Sequence, residues 1–223
     1  MSQVNSIELW LNYAGVFLFA ATGALVASRR QLDIVAFIFL ASLTGIGGGT
    51  LRDLILNTPV FWVVDTGYLV ACVTAAVCVY FTAHLLESRY RAILWLDAIG
   101  LAAYCVVGAE KSLALGFSPS VAIVTGILTA AMGGVLRDMV AGEPSVLMRK
   151  EIYVTAALAG SVVYTGSEAL GYFPHGVSAL ISVCVTLIIR GCALQFGWSM
   201  PTYKSRPGRT EEELKRDGII NDE

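Results

Sequence analysis

Charge is what this sequence has least of. Asp, Glu, Lys and Arg make up 14% of its 223 residues, against roughly 25% in an ordinary soluble domain. Eleven of those charges fall after Pro201, so residues 1–200 cannot clothe a water-facing surface. This excludes a soluble enzyme and a disordered chain. A net charge of −2 offers no attraction to a polyanion, so no nucleic-acid partner is expected. Histidine is scarce too. His84 and His175 have no ligand-spaced partner, which argues against a metal site. The cysteines, Cys72, Cys78, Cys105, Cys184 and Cys192, form no CxxC pair and sit inside apolar runs, where they read as packing residues. No nucleophile–base–acid set appears, so neither catalysis nor a cofactor is expected.

Apolar residues are abundant, at 56% with a mean hydropathy of +0.70. A bilayer core of about 30 Å needs roughly 20 apolar residues in helical form. Windows free of Asp, Glu, Lys and Arg run over Leu9–Ser28, Ile34–Leu51, Thr66–Leu86, Ser112–Leu136, Ile152–Ser167 and Ala169–Ile189, and Ala92–Ala109 carries Asp97 alone. The expectation is an all-α integral membrane protein with seven transmembrane helices. Trp10, Trp62, Trp95 and Trp198 all fall at predicted span ends, where an indole suits the interface. Residues 1–8 hold no Lys or Arg, so the first run reads as a true span and not a cleaved leader.

Seven spans put the two termini on opposite sides. Arg29, Arg30, Arg89, Arg91, Arg149, Lys150, Lys204, Arg206, Arg209, Lys215 and Arg216 then share the C-terminal side, and Lys111 stands on the other. The positive-inside rule places the N-terminus outside and the C-terminus in the cytoplasm of a multi-pass protein of the bacterial inner membrane. In the tail, Thr210 and Glu213 have the spacing of a capping box.

A shift of 85 residues superposes one half of the sequence on the other without a gap. Trp10 falls on Trp95, Gly15 on Gly100, Gly23 on Gly108, Thr44 on Thr129, Gly48-Gly49 on Gly133-Gly134, Leu51-Arg52-Asp53 on Leu136-Arg137-Asp138, Pro59 on Pro144 and Tyr68 on Tyr153. Residues 8–91 form a first three-helix repeat and 92–168 a second. Residues 169–197 form a seventh helix, and 198–223 a cytoplasmic tail. With three spans per repeat, the second enters the bilayer from the opposite side, which makes the repeats inverted. Proteins built this way commonly move a solute along the repeat interface.

Two glycine clusters interrupt the second and fifth spans. The second holds Thr44-Gly45-Ile46-Gly47-Gly48-Gly49, with Ser42 nearby; the fifth holds Thr129 and Gly133-Gly134. Glycine costs up to about 1 kcal/mol per residue in a helix interior. The clusters therefore mark places to kink or unwind, and unwound backbone inside a bilayer belongs beside a water-filled route. The competing use is close packing of helices through small residues. Each cluster precedes an Arg-Asp pair, Arg52-Asp53 and Arg137-Asp138, and Lys150-Glu151 opens the sixth span. Charges at such depth mark a pathway or gate, or else form structural ion pairs. Neighbours on a helix point about 100° apart, so Arg52 and Asp53 need not pair with each other. The ends of spans two and five lie on opposite sides, so Arg52 is not expected to meet Asp138, and Glu151 shares Arg137's side. On this reading Gly48→Leu or Gly134→Leu blocks flux and leaves assembly intact.

The run Gly45–Asp53, its echo Met132–Asp138 and the Arg149–Ile152 segment resemble the bacterial homologues of trimeric intracellular cation (TRIC) channels, a repeat family also labelled "glycine transporter". The resemblance covers about residues 8–195. It implies a seven-helix protomer, a homotrimer and one pore per protomer, lined by glycine-kinked helices two and five and conducting potassium or sodium with a preference for potassium. Gly47, Gly48, Gly49, Arg52, Gly133, Gly134 and Arg137 take the pore or gate positions. Animal members carry a lysine for an inositol lipid where this chain has Met132, so that lipid site is not expected. The competing function is a secondary transporter of glycine or another small amino acid. The scarcity of intramembrane acids favours the channel.

Overall fold

A computed structural model describes residues 6–86, 88–148, 151–201 and 208–219. Nine α-helices carry the chain among them: α1 (Ser6–Arg29), α2 (Ile34–Ile55), α3 (Phe61–Val64), α4 (Gly67–Thr82), α5 (Arg89–Ala114), α6 (Pro119–Val140), α7 (Val154–Leu170), α8 (His175–Phe196) and α9 (Glu211–Arg216). Six of the long ones are long and apolar enough to cross a membrane: α1, α2, α4 with its 3₁₀ extension, α5, α6 and α8. The remaining long helix, α7, has 17 residues, about 26 Å at 1.5 Å per residue.

Local chemistry sets the helix ends. The Asp33 side chain caps α2 by accepting from the Ala36 N–H at 2.8 Å, and Ser88 caps α5. Pro119 occupies the first turn of α6, where a missing N–H costs nothing. Gly171 and Gly197, both left-handed, end α7 and α8. The charge-free window stops at Ser167, yet α7 runs on through Glu168 to Leu170. The stop is set by Gly171 and Pro174, because Glu168 lies on the helix and pairs with His175 beyond the turn. The Thr210–Glu213 capping box forms in both directions at the head of α9.

The two repeats pack helix against counterpart. In α1 and α5, a Cβ on Gly15 would lie 2.5 Å from the Tyr104 ring, and a Cβ on Gly100 would lie 3.0 Å from the Phe19 ring. Tyr104 and Gly100 stand 85 residues after Phe19 and Gly15, so the same contact is made twice with the roles exchanged. The register runs one helix antiparallel to the other. Around this pair, Val16, Phe19, Leu101, Tyr104, Cys105 and Ala130 are fully or almost fully buried. Val35, Phe39, Val70, Phe81, Leu180 and Ile188 face outward, as expected of helices that are apolar all round.

Candidate functional site

The glycine clusters meet each other. A Cβ on Gly48 would fall on the Thr129 carbonyl oxygen, and a Cβ on Gly133 would fall on the Thr44 carbonyl oxygen, each well inside any contact real atoms make. The pairs are again exchanged by the 85-residue shift, so α2 and α6 cross antiparallel, backbone on backbone. Both helices stay helical through the crossing. Unwinding at the glycines is therefore not found: the missing side chains are spent on proximity. The Thr44 and Thr129 hydroxyls each donate to the carbonyl four residues back, Leu40 and Thr125, at 2.6 Å. Gly47 abuts Leu136, Gly49 abuts the Phe61 ring, and Gly45 lies against Val16 and Cys72. Gly134 faces the Tyr153 hydroxyl and Asp97.

A buried charge cluster sits on either side of the crossing. Arg52 and Arg137 lie on opposite sides of its centre, about 18 Å apart along the helix axes at 1.5 Å per residue. At one end Arg52 Nε donates to Asp53 Oδ1 at 2.8 Å, and Lys111 Nζ reaches the same oxygen at 2.7 Å. Asp53 Oδ2 accepts the Phe61 backbone N–H at 2.9 Å. At the other end Arg137 Nε donates to Asp138 Oδ1 at 2.9 Å, and Asp138 Oδ2 accepts the Val146 N–H at 3.0 Å, the equivalent bond 85 residues on. Here Arg137 Nη1 adds Asp97 at 2.8 Å and the Thr22 hydroxyl at 2.9 Å. Arg52, Asp53, Asp97, Arg137 and Asp138 are at most 3% exposed. A cavity of about 10 Å³, room for one water, lies between Asp97, Arg137 and Asp138, below the Arg29–Glu143 ion pair.

Arg52 and Asp53 thus pair as neighbours, a contact that helix geometry alone does not require. The chain turns back after α2 and pins the carboxylate with the Phe61 N–H, which leaves its other oxygen within reach of Nε. Glu151 does not join Arg137: it pairs with Arg190 Nη2 at 2.6 Å, and Lys150 lies outside the described residues. Arg52 and Asp138 stay apart, as expected. Asp97, Lys111 and Thr22 join the site without being marked by the glycine and Arg-Asp motifs. Asp97 was the readable signal, since it is the sole charge in its span. The two clusters also differ in sign: Arg52 and Lys111 face one carboxylate, whereas Arg137 faces two.

A sequence model of one family, described as glycine transporter, matches twice, over residues 9–84 and 94–168. The chain belongs to this family. The two matches begin 85 residues apart, the period read from the sequence. An "UPF0126 membrane protein" of Vibrio cholerae is 39% identical over 206 residues, covering 89% of this chain and 84% of its own. The inner membrane protein YadS of Escherichia coli K12 is 34% identical, covering 87% and 95%. The crystal structure of the TRIC trimeric intracellular cation channel orthologue from Rhodobacter sphaeroides superposes with a TM-score of 0.85 at 44% identity, covering 87% of this chain and all of that one. The glycine-transporter family member described here is a multi-pass membrane protein and groups with the bacterial homologues of TRIC channels.

At the Arg52 end of this TRIC homologue, outside the spans, Asp65 accepts the Tyr13 hydroxyl at 2.7 Å and the Gly67 N–H at 2.9 Å. Those bonds, Tyr13's first, hold the Asp65 carboxyl below its ordinary value. A lowered folded-state value contributes stability above the ordinary carboxylate range, and that contribution is lost as pH falls through the lowered value. Melting temperature measured against pH is expected to show Asp65→Asn less stable than the parent at neutral pH, with the gap closing in acid. A gap independent of pH would disprove the linkage.

Proposed function

We propose that the protein is a monovalent-cation channel that prefers potassium, with one pore in each protomer of a homotrimer. Its seven spans are α1, α2, α4, α5, α6, α7 and α8, and the first six form two inverted triplets. The exchanged contacts of α1 with α5 and of α2 with α6 support the inversion, because each helix runs antiparallel to its own repeat counterpart. The N-terminus lies outside and the C-terminus in the cytoplasm, on the strength of the basic residues counted above. The likeness to YadS supports an inner-membrane location.

The observation that carries the reading is the side-chain-free crossing at Gly48 and Gly133, with a buried Arg–Asp cluster to each side. A route along the repeat interface must pass it. Its backbone-on-backbone contact is a constriction that opens when α2 and α6 part. Gly45, Gly47, Gly49 and Gly134 let neighbouring groups crowd that axis. Arg52–Asp53 and Arg137–Asp138 then guard its two mouths, and fixed positive charge there acts as a barrier and not as a cation site. The preference for potassium and the trimer rest on the likeness to TRIC channels.

The test is single-channel recording of purified protein in planar bilayers, paired with glycine uptake into proteoliposomes. Step-like currents carried by potassium are the expected result. Saturable glycine uptake without such currents would establish the carrier instead.

A further inference from the structure

The seam between α7 and α8 carries a polar ladder that the α2–α6 route does not use. Three contacts fix its register. Glu168 pairs with His175, the Ser182 hydroxyl donates to the Gly160 carbonyl at 2.6 Å, and the Arg190 guanidinium stacks 5.2 Å over the Tyr153 ring. Between these points Thr165 stands level with Ser178 and Ser161 level with Ser182, and the Thr186 hydroxyl lies against Gly160. On α8 the polar positions 178, 182, 186 and 190 recur every fourth residue on one face. From His175 to Arg190 the ladder is about 22 Å long at 1.5 Å per residue, most of a hydrocarbon core of about 30 Å.

Thr186 makes the ordinary bond of a helical threonine, donating to the Ser182 carbonyl at 2.9 Å, but three hydroxyls of the ladder depart from that pattern among the described residues. Thr44, Thr50, Thr74, Thr82 and Thr129 each donate to the carbonyl four residues back. That bond is always within reach of a serine or threonine in a helix. Ser161, Thr165 and Ser178 are at most 4% exposed, and their hydroxyls have no partner. Glu168 Oε1 at one end of the ladder and Arg190 Nε at the other are buried and unpartnered as well. Interhelical bonding accounts for Ser182, which crosses to Gly160, and for Thr186, which meets Cys105. Successive rungs are about 6 Å apart, the distance one water spans between two hydroxyls.

We propose that this seam holds a file of ordered water molecules, bound by Ser161, Thr165 and Ser178 and separate from the cation route. Water fits where a metal cation does not. The ladder's acid, Glu168, is paired with His175, and its other end is closed by the fixed positive charge of Arg190, held by Glu151.

Hydroxyl-radical footprinting with an X-ray pulse, on the full chain in lipid nanodiscs, tests this. Radicals made from bound water oxidise thiols beside it. Cys105 lies 3.4 Å from Thr186 in the ladder, and Cys72 is equally buried among apolar groups near Val16 and Ala20. Cys105 is expected to label several-fold faster than Cys72, and the contrast is expected to shrink in Thr165→Val/Ser178→Ala. The double variant is also expected to melt lower, since it strips the water of its partners. Equal labelling of the two thiols in the parent overturns the proposal. So does a higher melting temperature in the variant, the result of deleting orphan hydroxyls from a dry seam. The parent's labelling contrast decides the matter even where the variant fails to fold, and it is read without any current, with Cys72 lying against Gly45 beside the α2–α6 crossing, which is closed backbone on backbone.

Discussion

Gly48→Ala and Gly133→Ala are each expected to destabilise the protomer by about 1–3 kcal/mol, the usual cost of forcing a methyl into filled space. The upper end is the better expectation here. The added carbon meets a backbone carbonyl, Thr129 for Gly48 and Thr44 for Gly133. A flexible side chain can swing away, but a carbonyl moves only with its helix. The gain in helix propensity of about 1 kcal/mol offsets part of the loss, so a helical glycine with open space around it is the proper control. Gly166 on α7 has nothing within 4 Å of its missing Cβ, and Gly166→Ala is expected to be neutral or stabilising. Thermal unfolding in detergent, followed by tryptophan fluorescence, separates the three. Parent-like melting of Gly48→Ala would mean that α2 and α6 do not touch as described. The same geometry revises the expectation that Gly48→Leu blocks flux in an intact assembly. A leucine there cannot enter without separating the helices, so lost flux from it would report broken packing. Gly134→Leu is the gentler change, since its first neighbour is the Tyr153 hydroxyl at 3.1 Å.

Much of this architecture is legible in the residues, because apolar runs and a gapless repeat leave few alternatives. The 85-residue shift pairs Gly48 with Gly133 and Thr44 with Thr129, and the crossing uses those four positions. The sequence does not say that the glycines serve approach and not unwinding. Propensity measures only what a lone helix loses, whereas contact with the partner backbone repays it. Charge-free windows fail for a related reason: they treat every charge as a span end. Arg52, Asp53, Arg137 and Asp138 lie on α2 and α6, inside the helices, because each carboxylate answers an Arg and a backbone N–H at once. Asp97 and Arg190 likewise sit within spans, neutralised by Arg137 on α6 and by Glu151 in the connection ahead of α7. Such partners come from 40 residues away, beyond the reach of any local pattern. The spacing of Ser178, Ser182, Thr186 and Arg190 was readable as one helical face, but its meaning needed the orphaned hydroxyls opposite it.

Removing the Arg137 charge is expected to be the most damaging single change at the two clusters. Arg137→Met keeps length and apolar stem but leaves Asp97 and Asp138 facing each other without their cation. Breaking a buried pair by deleting one partner typically costs 3–5 kcal/mol, because the remaining charge stays desolvated. Here two carboxylates, 3% and 1% exposed, lose the same cation. Asp138 keeps the Val146 N–H, whereas Asp97 loses the guanidinium that Nη1 shared with Thr22. Adding Asp97→Asn is therefore expected to recover a large part of the loss, since it removes the carboxylate with less support. The Arg52 end supplies the contrast. Arg52→Met leaves Asp53 with Lys111 at 2.7 Å and with the Phe61 N–H, so one cation remains for one carboxylate. Its cost is expected to be clearly smaller than that of Arg137→Met, although the repeat makes the two residues equivalent in sequence. Urea or thermal unfolding of the four proteins measures the order. Equal losses at Arg52 and Arg137, or no rescue by Asp97→Asn, would show that the opposite charge excess of the two ends does not govern their stability.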